Sequence, residues 1–146
     1  MTEPKGGRHY ARVTQRRTRE DFAECLEWLE KKYSKPVTIH LVIDNLNTHN
    51  EKSLITAFGE LEGRRLWARF TPHYTPKHAS WLNQTEIAIG VMTRCCIGNQ
   101  RIVTQKILEE KVTLFWKKRT KEKWTIDWKF TNKKANQWIK TFRSQH

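Results

Sequence analysis

The sequence predicts an α/β domain, on three observations. VTIHLVID, residues 37–44, is an unbroken apolar, β-branched run that reads as a strand. LWARFTP, 66–72, reads as a second strand. Before, between and after the two lie segments whose apolar residues recur at helical spacing, and this alternation is the mark of strands crossed over by helices.

Taken in order, residues 1–8 are polar with paired glycines and are expected to fray. HYARVTQRR, 9–17, alternates loosely and is read as a short strand. Thr18 is a good N-cap, with acids at 20 and 21; Phe22, Cys25, Leu26 and Leu29 then recur as one face of a helix reaching Tyr33. SKP turns the chain into the strand 37–44, whose LVI run predicts burial on both faces, as in a central parallel strand. Residues 50–62 form a helix that GRR is expected to break, and Pro72 is expected to stop the strand after it. HYTPKHAS, 73–80, is a loop. Ser80 is placed as the cap of a long helix from Trp81 to Cys96, with Leu82, Ile89, Val91 and Met92 toward the core. After a turn at GNQRI, a helix at 104–118 has a basic end, TKEKWTIDWKFT is extended, and a short helix from Lys133 closes the chain.

The 146 residues suit one domain with one core, and seven Trp and six Phe argue against disorder. The formal net charge of +13 is uneven: residues 101–146 carry thirteen Lys and Arg against four Asp and Glu. An excess of this size points to a polyanion, most simply nucleic acid, with a solvated basic face as the plainer alternative. Three cysteines, Cys25, Cys95 and Cys96, without a CxxC make neither a disulfide framework nor a zinc ribbon, and fit a reducing cytosol. The N-terminus has no apolar signal region, and no run approaches a membrane span. Walker A, GxSxG and HExxH patterns are absent.

The chemistry-bearing residues fall in two segments. LVIDNLNTHN ends a buried strand in a carboxylate, Asp44, followed by Asn45 and His49, which could orient it; a strand-ending Asx turn is the plain alternative. In the second segment, Asn83, Glu86 and Gly90 share one helical face beside apolar Ile87 and Ile89, so that something could approach closely at Gly90. Taken alone, Glu86 also reads as an acid on a wet helix edge. Two such acids are what a two-metal phosphoryl-transfer site needs. His73 and His78 flank a loop that includes Lys77; a zinc pair lacks further ligands, so contacts to phosphate or a solvated loop are the readings. WKKRTKEKW, 116–124, is the strongest basic run and offers Lys117, Lys118 and Arg119 to DNA, or to solvent as a helix end.

The phrases VIDNLNTH and HYTPKHASWLNQTE closely resemble the catalytic domain of IS630-type transposases, within the IS630/Tc1/mariner group of DDE enzymes. The similarity covers nearly the whole chain. It implies an RNase H-like mixed sheet with flanking helices, with Asp44 as the second acid and Glu86 as the third, both ligating Mg²⁺ or Mn²⁺. Asn45, His49 and Asn83 would support them, while Lys77, His78, Lys117, Lys118 and Arg119 would contact DNA. The implied partners are transposon-end and target DNA and further copies of the chain; the implied setting is a bacterial cytoplasm, at the nucleoid. The pattern departs from the family at the first Asp. Asp21 opens a helix and Asp127 follows the third acid, so neither ends an early strand. The first two strands and an N-terminal helix-turn-helix are therefore expected to be missing. Residues 1–146 then read as a partial DDE domain with a basic helical extension over 101–146, either a truncated product or one piece of a frame-split gene with an upstream-encoded half. Alone it is expected to be marginally stable and inactive. Three functional readings follow: a fragment of a transposase that cuts and joins DNA, a non-catalytic DNA-binding remnant of one, or a generic RNase H-like nuclease, which meets the same missing-acid objection.

Overall fold

The computed structural model describes residues 1–35, 37–76, 83–127 and 131. Within them the order is β1 (Thr2–Glu3), β2 (Arg8–His9), α1 (Arg19–Lys32), β3 (Ile39–Ile43), α2 (Glu51–Phe58), α3 (Glu60–Trp67), β4 (Phe70–Tyr74), α4 (Gln84–Met92), a π-helical turn (Thr93–Ile97) and α5 (Gln105–Lys121). β1 and β2 pair antiparallel, and β3 and β4 pair parallel. The fold is α/β, with small sheets and flanking helices.

α1 starts where its chemistry says it should. Thr18 Oγ1 accepts from the Asp21 amide at 3.2 Å, and Asp21 accepts from the Thr18 amide at 2.9 Å, which closes a capping box. The backbone N–H of Thr18 holds the Asp21 carboxyl below its ordinary range. Lys31 and Lys32 fall in the last turn, against the negative end of the helix dipole. The helix buries Ala23, Leu26 and Leu29 against Leu54, Leu66 and Phe70, and Ile39 and Leu41 of β3 pack on that cluster.

Several boundaries differ from the sequence reading. The single helix expected at 50–62 is two, α2 and α3. They divide at Gly59, whose φ of +83° suits a residue without Cβ, and the Gly63–Arg65 stretch lies inside α3 rather than ending it. A Cβ on Gly63 would meet the Ile55 backbone at 2.6 Å, so the absence of a side chain there lets the two helices touch. Leu66 and Trp67 consequently belong to α3, and the second strand is shifted to Phe70–Tyr74. Pro72 does not stop that strand. It sits within β4 opposite Leu41, as it can in a strand with one hydrogen-bonded neighbour among the described residues. β3 is not buried on both faces: His40 and Val42 are exposed, and among the described residues β4 is its only hydrogen-bonded neighbour.

At the start of the chain, the residues expected to fray form the β1–β2 hairpin, and the strand expected over 9–17 ends at His9. The Met1 ammonium donates to the Tyr10 carbonyl at 2.7 Å. Buried His9 fastens the hairpin to the end of α5. Its amide donates to Thr120 Oγ1 at 3.1 Å, its Nε2 lies 2.8 Å from the Trp124 carbonyl, and its ring stacks on Trp116 at 4.8 Å. These contacts border a second core of Ala88, Val112 and Trp116, lined by Val13, Met92, Leu108, Phe115, Trp124 and Ile126. The described residues therefore hold two cores where the sequence suggested one.

Candidate functional site

The site begins at the C-terminal end of β3. The parallel ladder continues one step past the strand, as the Thr75 amide donates to the Ile43 carbonyl at 2.9 Å. Asn45 Nδ2 donates to the Thr75 carbonyl at 2.7 Å, so the residue after Asp44 is tied to the end of β4. The loop then folds back. The His49 amide donates to the Leu46 carbonyl at 2.9 Å, buried Ser53 donates to the Thr48 carbonyl at 2.7 Å, and the Tyr74 hydroxyl donates to the His49 carbonyl at 3.0 Å. These bonds fix the His49 ring on Phe22, with centroids 4.7 Å apart.

Asp44 and His49 meet in this frame. Asp44 Oδ1 is 2.5 Å from His49 Nδ1, and both side chains are about three-quarters buried. Among the described residues neither atom has a further partner. Asn50 Oδ1 is likewise buried without a donor, while its Nδ2 donates to the Asn47 carbonyl at 2.8 Å. The strand end therefore holds a carboxylate paired with an imidazole, and the helix after it begins with a buried amide oxygen that has no protein donor among the described residues. Unsatisfied buried polar atoms are uncommon and tend to mark sites of function. The sequence singled out Asp44, Asn45 and His49; it read Asn50 only as a helix cap. Asn50 does occupy the N-cap position of α2, but without a side-chain cap bond, so its oxygen remains available.

Glu86 is placed differently. Asn83 is the N-cap of α4, its Oδ1 accepting from the Thr85 amide at 3.0 Å, which commits that oxygen to the helix start. Glu86 is exposed in the first turn, where it complements the helix dipole. Of the two readings the sequence left open for Glu86, the structure has the acid on a wet helix edge. Ala88 is the buried residue of α4, and Ile87 and Ile89 are exposed. Ile89 is accordingly not a core residue. α4 packs through Ala88 on Val112 and Trp116, in the second core, whereas Asp44 ends a strand of the first. Among the described residues Gly90 is not closely approached: a Cβ there would meet the Arg94 guanidinium, at 3.5 Å.

The donor set can be tested against the Mg²⁺ or Mn²⁺ that the resemblance implies. Asp44 Oδ1 and Asn50 Oδ1 are hard oxygen donors and suit one corner of such a site. A two-ion centre needs more. Among the described residues no three His, Cys, Asp or Glu side chains come together to hold a metal ion. Those residues do not fit the two-ion centre, and no reaction step is derived through one.

The expected DNA-contacting residues divide as well. Lys117 and Lys118 are exposed on α5, Lys118 within 4.0 Å of Glu122. Arg119 is partly buried, 5.3 Å from the ring centroids of both Phe115 and Trp124. Lys77, His78, Ser80, Trp81 and Leu82 lie outside the described residues, as do Trp128, Phe130 and the helix expected from Lys133. No described helix is long and apolar enough to cross a membrane.

A family model described as DDE superfamily endonuclease matches residues 1–109, about three-quarters of the chain. No curated protein and no solved structure matches it.

Proposed function

The chain belongs to the DDE superfamily endonucleases, and from that premise we propose that it acts as a non-catalytic, basic DNA-binding form of an IS630-type transposase domain. The observation that supports this reading is that the two acids stand on elements packed against different cores. Asp44 ends a strand of one core, and Glu86 is exposed on a helix of the other. Phosphoryl transfer by two ions requires carboxylates converging on points about 4 Å apart. Asp21, the earlier acid of the chain, is committed to the α1 capping box. The charge supports the binding role. The net +13 is concentrated after residue 100, and α5 presents Lys117 and Lys118 to solvent.

A second reading is favoured by the strand end itself. Asp44 stands at the strand tip paired with His49, and β3 has a free edge among the described residues. A further strand paired there, from an upstream-encoded segment or a second copy, would protect an apolar edge and could bring a first acid beside Asp44. In that assembly the transposase reaction, Mg²⁺-dependent cutting and joining of DNA at element ends, becomes the function.

One experiment separates the two. Duplex DNA affinity is measured against salt for the wild type, Lys117→Gln/Lys118→Gln and Asp44→Asn, alongside a Mg²⁺-dependent nicking assay. If the protein only binds, the double lysine variant flattens the log–log salt slope by about two, and Asp44→Asn leaves it unchanged. Nicking by the wild type that Asp44→Asn abolishes overturns the binding reading and establishes the catalytic one.

A further inference from the structure

The parallel register of β3 and β4 sets His40 opposite Thr71 and Val42 opposite His73. His40 and His73 are therefore diagonal neighbours, on the sheet face opposite the core residues Ile39, Leu41 and Phe70. Both are exposed. Nδ1 of His40 lies 2.9 Å from Nε2 of His73, and the rings stack at 5.2 Å and 25°. The hydroxyls of Thr38 and Thr71, 2.9 Å apart, brace the same pair of strands alongside them.

We infer that His40 and His73 form a two-imidazole chelate for a divalent transition ion of the copper and nickel class. This goes beyond the DNA-binding reading and uses none of its residues. Imidazole nitrogens bind such ions at about 2.0 Å, so two donors on adjacent corners of a square stand about 2.8 Å apart, whereas tetrahedral corners stand about 3.3 Å apart. The observed 2.9 Å is a hydrogen-bond distance close to this span, so one ion can take the place of the shared proton, and the affinity of imidazole sites rises toward nickel and copper. The χ2 torsion of a histidine is soft, so a small ring rotation turns both lone pairs toward one ion. Exposure leaves the remaining corners to water. Each of the two strands has only the other as a hydrogen-bonded neighbour among the described residues, so the bound ion acts as a clip across the pair. Binding to the folded state alone raises stability by mass action.

The test is Ni²⁺ titration by calorimetry at pH 8 in a Cys95→Ser/Cys96→Ser background, which removes competing thiols. The expected result is one ion per chain, with affinity falling roughly a hundredfold in His40→Gln and in His73→Gln, and unchanged in His78→Gln/His146→Gln. Ni²⁺ is also expected to raise the melting temperature of the parent protein and not of the two single variants. NMR of the parent protein needs no site variant: the paramagnetic ion broadens the ring signals of His40 and His73 first. Equal affinity in the parent and both single variants overturns the proposal, leaving only a hydrogen-bonded imidazole pair. So does binding that is lost with His78 and His146 instead, or broadening that begins at His9 or His49.

Discussion

Glycine-to-alanine substitution at Gly63 and Gly90 should move stability in opposite directions, and the structure says why. Both residues are helical, so each substitution gains up to about 1 kcal/mol of helix propensity. At Gly90 that gain stands, because the new methyl meets only the movable end of Arg94 at 3.5 Å. At Gly63 the methyl lands 2.6 Å from the Ile55 Cα and amide nitrogen and 2.8 Å from the Leu54 carbonyl carbon. Carbon atoms pack best at about 3.5–4.0 Å, so α2 and α3 must separate by roughly 1 Å. Backbone cannot rotate aside. The separation also loosens Leu54 and Leu66, both fully buried where the two helices meet. Overpacking of this kind costs about 1–3 kcal/mol, and the rigidity of the clash puts Gly63→Ala at the upper end. Set against the propensity gain, the net loss is about 2 kcal/mol, a fall in Tm of about 4–8 °C for a chain of this length. Gly90→Ala should rise by about 1 kcal/mol or less. Urea unfolding followed by far-ultraviolet circular dichroism, with m held common, measures both. Gly63→Ala as stable as the wild type would refute the close α2–α3 contact, and a destabilised Gly90→Ala would show that something does approach that face.

Thr18→Ala removes the α1 cap and should cost about 1 kcal/mol in the same unfolding assay, with Thr18→Ser retaining most of it. Glu30 receives both guanidinium nitrogens of Arg65, at 2.8 and 2.9 Å, and lies 3.5 Å from Arg69. The hydrogen bonds from Arg65 hold its carboxyl below the ordinary glutamate range. A depressed folded-state pKa means that the contribution is present above the unfolded value and is lost as pH falls through the folded one. Glu30→Gln should therefore be less stable than wild type by about 1 kcal/mol at pH 7, with the gap closing in acid; a gap that persists at low pH would point to packing rather than charge. Tyr33 donates its hydroxyl to Glu3 at 2.6 Å, which lowers the Glu3 carboxyl, while burial raises the Tyr33 phenol. Tyr33→Phe should lose about 1 kcal/mol and let the Glu3 carboxyl, followed by NMR, titrate at higher pH.

Local chemistry was legible in the chain. Thr18 with the acids after it fixed the start of α1, because capping is decided within three residues of sequence. The apolar run ending in Asp44 located both β3 and the acid at its tip. The amide- and hydroxyl-rich loop that follows announced that Asp44 would be held by its neighbours, and His49 is one of them. What misled was information that no short segment carries. Gly63 looked like a breaker because glycine weakens isolated helices, yet it lies within α3 because α2 crosses there too closely for a side chain. Pro72 looked like a terminator because its missing N–H matters in a central strand, yet among the described residues β4 has a neighbour on one side only. Ile89 was assigned to the core from its apolar character, but Ile87 and Ile89 are both exposed and Glu86 stands on a wet helix edge.

The sequence alone determined the family, the α/β class, the position of Asp44 and the basic excess, since each depends on residue identity over a short stretch or on a simple count. Tertiary structure decided the rest. It packed the strand that Asp44 ends on one core and the helix that carries Glu86 on another, committed Asn83 and Asp21 to capping, locked the N-terminal hairpin to α5 through His9, and brought His40 and His73 together across two strands. The physical reason is the same throughout. Which side chains meet across tens of residues depends on how buried surfaces fit, and that fit is a property of the assembled elements rather than of any one of them.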